Sequence, residues 1–318
     1  MSIGTNIKKR RYELRMSQEE LAKALGYKSR STIAKIESGE NDISQRKLQN
    51  FAKVLDTSVE ALILGSSYSS VEYEKGISRI NNVDSYDNKS VAVILAGGKS
   101  SRNQQNIPNQ FINILGKPVI AYCLEAYQNH PSIDDIYIVC LRGWEHITVA
   151  LTEQYNITKF RGLISGASSG ILSVCNAIDE LKNHYKEDDV IVFQEATRPL
   201  VSYDMISKLL SNCYEYGSAN LCQPMNDYLQ FSIDGNNVEY VNRESTVCVQ
   251  SPEAYRFNVI IDVFKNAEEK KFPLTESCCA MLLHNLGYKT NFIYSDVNNM
   301  KIVRQEDVAI ATALLKGI

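Results

Sequence analysis

The sequence offers little from which a metal centre, a disulfide scaffold or a membrane span could be built. Its four histidines, His130, His146, His184 and His284, share no ligand spacing. Its eight cysteines are scattered, with Cys278-Cys279 the only close pair. This excludes the tight Cys/His intervals of a structural zinc site and the even framework of a small secreted domain. Most of the thiols are expected to be buried and inert. No apolar run approaches the ~20 residues that a membrane helix requires. The first residues, MSIGTNIKKRR, are polar, so a cytoplasmic address with no membrane partner is expected. There is no internal repeat, and the single tryptophan, Trp144, and the 18 tyrosines are expected to serve packing.

What is present is ordinary globular composition, 44% hydrophobic and 22% charged over 318 residues. That length accommodates one large domain and one small one. The charge is divided unevenly between them. Residues 1–65 carry 12 Lys and Arg against 8 Asp and Glu, whereas the remainder carries 22 against 29. Only the first piece is suited to a polyanion.

Between Ile7 and Leu64 apolar residues recur at helical spacing in five short blocks. Ser17-Gln18-Glu19-Glu20 has the S-x-x-E form of a capping box, which predicts a helix beginning at Ser17. Leu25-Gly26-Tyr27 predicts its end, and Lys28 to Thr32 opens the next helix. Two short helices joined by a glycine turn make a helix-turn-helix unit. The stretch MSQEELAKALGYKSRSTIAKIESGE resembles the phage-repressor (Cro and Xre type) family. The resemblance implies binding to double-stranded DNA, with Gln18, Lys28, Ser29, Arg30, Ser31, Thr32 and Lys35 turned to bases and phosphates.

Gly65-Ser66-Ser67-Tyr68-Ser69-Ser70 marks a change of composition, and a tether is expected over residues 66–89. From Ser90 onward apolar runs alternate with helical stretches. Strands are predicted at Val91–Leu95, Ile136–Leu141, Val190–Gln194 and Leu221–Pro224. Helices are predicted at Val119–Gln128, Leu172–His184, Met205–Glu215 and Val259–Ala267. This alternation gives a Rossmann-like α/β domain over residues 90–318, with a mostly parallel, doubly covered sheet, preceded by the small all-α head.

The most informative stretch is ILAGGKSSRNQQNIPNQF, a strand running into Gly97-Gly98 and then a cationic loop. Glycines there let backbone N–H groups approach a phosphate closely. With SGASSGILSV, VIVFQEATRP, PMNDY, VNREST and NNMKIVRQEDVAIA it resembles the cytidylyltransferases that act on methylerythritol phosphate and ribitol phosphate. The resemblance implies transfer of CMP from CTP to an alditol phosphate by a Mg2+-dependent homodimer. It assigns Arg102 and Lys301 to catalysis, with Lys99 of the same loop a catalytic candidate able to stand in for the family lysine absent at Asn109, and Ala96, Gly97, Gly98, Gly166 and Ser173 to the nucleotide. It further assigns Arg198, Asp227 and Arg243 to the acceptor and Glu195 to the metal.

The departures from that family's pattern are also specific. Asn109 stands where the family has a lysine, Asn298 where it has an aspartate, Gly170 where it has an arginine and Tyr228 where it has a threonine. Glu195 replaces an aspartate, and Ser100 and Ser101 replace a glycine and a basic residue. A lost cation and a lost carboxylate favour a second expectation, a sensor that binds nucleotide or CDP-alditol with little turnover and controls DNA binding.

Overall fold

The computed structural model describes residues 3–27, 29–41, 43, 45–57, 59–64, 88–99, 107–224, 230–234, 237–242, 245–275, 278–295 and 299–317. The tether expected over 66–89 falls almost entirely outside the described residues. So do Arg102, Asp227, Arg243, Lys28 and Asn298.

The head consists of α1 (Ile3–Glu13), α2 (Gln18–Ala24), α3 (Arg30–Ser38), α4 (Gln45–Val54) and α5 (Val59–Leu64). The expected capping box is present. Ser17 Oγ accepts from the Glu20 amide at 3.1 Å, and the Glu20 carboxylate accepts from the Ser17 amide at 2.7 Å. Gly26, at φ 76°, makes the left-handed turn out of α2. Ile7, Leu21, Ile33, Ile36, Leu48, Phe51, Leu55 and Leu62 then close one small core. Beneath it lies an ion pair that charge counting does not reveal. Arg11 Nε and Nη2 hold the two Glu37 oxygens at 2.6 and 2.9 Å, and both side chains are buried.

The body is built on a seven-stranded sheet of order β11-β7-β10-β6-β1-β4-β5. Its strands are β1 (Ser90–Ala96), β4 (Asp135–Cys140), β5 (Phe160–Ser165), β6 (Val190–Glu195), β7 (Ser218–Pro224), β10 (Val247–Arg256) and β11 (Phe292–Tyr294). Two short pairs stand apart from it: β2 (Asn113–Ile114) with β3 (Lys117–Pro118), and β8 (Gln230–Asp234) with β9 (Asn237–Val241). Pairings of β1 with β4 and β6, of β4 with β5 and of β7 with β11 are parallel. Only β10 runs against both its neighbours.

Alternation along β1 explains the double cover. Ala92, Ile94 and Ala96 enter one core, and Val91 and Val93 the other. The first face is covered by α6 (Val119–Asn129), α7 (Glu145–Gln154) and α9 (Tyr203–Tyr216). The second is covered by α8 (Gly170–Leu181), α10 (Phe257–Glu269) and α11 (Cys279–Asn285), while α12 (Gln305–Gly317) ends the chain. Among the described residues no helix is long and apolar enough to cross a membrane. Burial of Cys123, Cys140 and Cys213 pushes each thiol up to about 12, which keeps them unreactive at neutral pH.

Every strand and helix predicted for the body is found. The α7 helix was not predicted, and neither were β5, the antiparallel β10 or α11.

Candidate nucleotide site and DNA-binding face

Strand order locates the site. The chain moves from β1 outward to β4 and β5, then returns to the opposite side of β1 as β6. Open α/β sheets bind ligands at such a reversal, beyond the carboxyl ends of the strands. Leu95 and Glu195 are register partners there, and the Ala196 amide donates to Leu95 O at 3.1 Å.

Three loops meet at this edge. Gly97 and Gly166 lie back to back. A Cβ on Gly166 would fall 2.9 Å from Cys140 O and 3.2 Å from the Gly97 Cα, so only glycine permits the approach. Ser173 Oγ accepts from the Ala167 amide at 3.0 Å and donates to Ser169 O at 2.9 Å, so it shapes the second loop. Gln110 Nε2 donates to Ala96 O at 2.7 Å and Gly98 O at 3.0 Å, clamping the first loop. Lys99 and Gly98 are exposed at its rim.

The centre of the site is Glu195, at the end of β6. One oxygen pairs with Lys301 and the other with Arg198 Nε at 2.8 Å. Ser251, beside the cis Ser251-Pro252 bond in β10, accepts from the Glu195 amide at 3.1 Å. Arg198 Nη1 also donates to Asn299 O at 2.7 Å, and Asn299 Nδ2 donates to Ser251 O at 2.8 Å. Burial acts to raise the Glu195 carboxyl, but Arg198 and then Lys301 outweigh it and hold the group below its ordinary value. At neutral pH the cluster is therefore a carboxylate between two cations. Arg198 is the enclosed partner and Lys301 the open one, with 10% and 37% of their side chains exposed.

Of the sequence-assigned residues, the structure brings together Ala96, Gly97, Gly98, Gly166 and Ser173 on one side, and Glu195, Arg198 and Lys301 on the other. Asn109 sits between them. It is buried, and its amide donates to Ile302 O at 3.1 Å and Val303 O at 3.2 Å. This residue therefore fixes the segment carrying Lys301. Sequence reading did not find Gln110, Ser251 or Asn299 as parts of the site. Gln110 and Asn299 lay within the quoted stretches ILAGGKSSRNQQNIPNQF and NNMKIVRQEDVAIA, with no role read for either; Ser251 acts mainly through a bond to the Glu195 amide, which leaves no spacing to read.

On the head, Ser29, Arg30, Ser31 and Lys35 are exposed and Thr32 is half-buried around the start of α3. Ser29 caps this helix by accepting from the Ser31 amide at 3.2 Å. Gln18 Nε2 is held by Glu37 at 2.9 Å, which ties the start of α2 to the buried ion pair. Gln18 thus has a partner within the head as well as the DNA contact expected of it.

Comparison with known proteins agrees with this geometry. Residues 90–317 match the family model described as 2-C-methyl-D-erythritol 4-phosphate cytidylyltransferase, and residues 7–62 match the helix-turn-helix model. A ribitol-5-phosphate cytidylyltransferase of Lacticaseibacillus paracasei is 30% identical over 227 residues, covering 71% of this chain and 97% of that protein. A 2-C-methyl-D-erythritol 4-phosphate cytidylyltransferase of Clostridium botulinum is 28% identical, covering 72% and 99%. The crystal structure of 4-diphosphocytidyl-2C-methyl-D-erythritolsynthase from Anaerococcus prevotii superposes with a TM-score of 0.61 at 20% identity, covering 76% of this chain and 99% of that one.

Proposed function

As the chain belongs to the 2-C-methyl-D-erythritol 4-phosphate cytidylyltransferase family, we propose that its body transfers CMP from CTP to ribitol 5-phosphate and that its head binds duplex DNA. The observation that carries the enzyme reading is the Lys301–Glu195–Arg198 cluster, set against the glycine loops at the sheet's reversal. Ribitol 5-phosphate is favoured as acceptor by the 30% identity to the Lacticaseibacillus paracasei protein.

In the proposed reaction a phosphate oxygen of the acceptor attacks the α-phosphorus of CTP. A new P–O bond forms, the bond to the β-phosphate breaks and pyrophosphate leaves. Such transfers depend on positioning and on positive charge near the phosphates. Glycine N–H groups of the first loop would bind the triphosphate. Lys301, on the open side of Glu195, can turn to the phosphates while Arg198 continues to neutralise the carboxylate. Asn109 and Asn299 hold the backbone on either side of Lys301, so the lysine moves without its segment moving.

The site also fits a magnesium ion that arrives with the nucleotide. Asn299 Oδ1 is buried and has no hydrogen-bond partner among the described residues, and the backbone oxygen of the same residue accepts from Arg198, the partner of Glu195. One carboxylate and one amide oxygen suit an ion that takes its remaining ligands from phosphates and water. Bound there, it would supply further positive charge to the transferring group.

The assay is pyrophosphate release from CTP, magnesium and ribitol 5-phosphate. Release dependent on all three is the expected result; none above buffer, with CTP still bound by calorimetry, would establish the sensor reading instead. Asn109 favours that second reading, because a neutral amide bonded to carbonyls occupies the place of a cation.

For the head, Arg30→Ala should weaken binding to DNA from upstream of its own coding sequence about tenfold, the scale of one base or phosphate contact. Unchanged affinity in a mobility-shift titration would refute DNA recognition by α3. The β8–β9 hairpin supports a homodimer. It stands apart from the main sheet, and Val238 and Tyr240 are 60% and 52% exposed on it. An isolated two-stranded hairpin is marginal alone, so a second subunit is its natural partner.

A further inference from the structure

The helix α7 is buried in a way that no helix of a free-standing body should be. Its residues Ile147, Thr148, Val149, Ala150, Leu151 and Thr152 are all buried. At about 100° per residue that run passes more than once round the axis, so the middle of α7 has no open face. By contrast, α8 buries Ile171, Val174, Ile178 and Leu181, the stripe of a one-sided helix. Thr148 Oγ1 lies 3.2 Å from Cys140 Sγ of β4, which identifies the sheet-facing side of α7. Ala150 is about 200° round the axis from it and is still covered.

The head supplies the cover, since α5 packs along α7. Val59 touches both the body core and the head core. Nor is α5 a loose extension of the tether. Leu62 is fully buried in the head, and Leu62 O accepts from the buried Asn6 amide at 3.1 Å.

The other end of α7 reaches the nucleotide loops. Trp144 precedes its first turn, is buried, and stacks on Phe111 with centroids 4.4 Å apart and planes 12° from parallel. Phe111 directly follows Asn109 and Gln110, which clamp the Lys301 segment and the first glycine loop.

We propose that α7 is the seat of the DNA-binding head, and that filling the nucleotide site tightens this seat through the Phe111–Trp144 stack. The coupling rests on the nucleotide reading above; the seat does not. Linkage then requires that duplex binding to the head alter nucleotide affinity by the same factor. Contiguity alone does not establish such coupling, so both sites must be observed to respond.

Hydrogen exchange on the full chain tests both parts. In the wild type, amides of 147–152 should exchange at least tenfold more slowly than in Val59→Asp, with β1 and α3 equally protected in both proteins. Val59→Thr, nearly the same shape, should give a smaller change in the same direction if the aspartate unfolds the head. Equal exchange of 147–152 in wild type and both variants overturns the seat. CTP with magnesium should slow exchange at 96–98 and at 59–64 together and shift the emission of Trp144, the only tryptophan. A response confined to 96–98 overturns the coupling and leaves the nucleotide reading intact. No response at 96–98 overturns both, and the Val59 variants then decide the seat alone.

Discussion

Lys301→Ala should lower the rate of pyrophosphate release by about a hundredfold or more, the ~3 kcal/mol that one well-placed donor contributes to a charged transition state. The structure says which kinetic constant should carry the loss. Without nucleotide, Lys301 is paired to Glu195, so part of its charge is already compensated in the free protein. Its contribution grows only when negative charge builds on the transferring phosphate, which places the effect mainly on kcat rather than KM. Lys301→Arg should recover part of the rate, because the cation returns with different reach and geometry. A loss below threefold would mean that Lys301 serves only to pair Glu195.

The same cluster fixes the sign of a pH effect. Glu195 is held below its ordinary carboxyl value, so its pairing stabilises the folded body fully above the unfolded carboxyl pKa of about 4.3. That contribution disappears as pH falls through the lower, folded value. Lys301→Ala removes one of the two cations responsible and should move the acid loss of stability to higher pH. Acid titration of the two proteins by circular dichroism measures the difference.

The fold of the body was legible where each element faced one environment. Val91–Leu95 reads as a central strand because its residues are apolar on both faces, and Leu172–His184 as a helix because its apolar stripe is one-sided. EHITVALTEQ, the sequence of α7, gives neither signal. Its two threonines flank the apolar run Val149-Ala150-Leu151, and its outer face is covered by another domain, so no polar stripe marks its period. The element hardest to read is thus the one that joins the two halves. At the site, the glycines were legible as a close backbone turn, and the fold does set Gly97 against Gly166 where only glycine fits. Asn109 was not legible: the resemblance marked it as a missing cation, whereas the fold makes it a tie between backbone segments. The resemblance assigned Glu195 to a metal and gave no sign of it as the counter-charge of two cations, because Lys301 lies 106 positions away.

The largest stability effect is expected in the head. Glu37→Ala should cost about 3–5 kcal/mol, the penalty for leaving one member of a buried ion pair without its partner. Arg11 would retain its bond from Nη1 to Met16 O at 2.7 Å, but Nε and Nη2 would face a cavity, and Gln18 would lose its acceptor as well. Native domains are stable by only about 5–15 kcal/mol, and one of this size falls at the lower end. The head should therefore be largely unfolded at 37 °C and its DNA binding lost. Replacing both residues, as Arg11→Met with Glu37→Leu, should recover most of the stability, because no charge then remains in the core. Calorimetry of the full chain would show the head's transition vanish in Glu37→Ala and return in the double variant. Pyrophosphate release should continue in both, since every residue of the proposed transfer lies beyond position 95. If Glu37→Ala abolished transfer while the body's own transition stayed in place, the head would be part of the catalytic unit, and the separation of roles proposed above would be wrong.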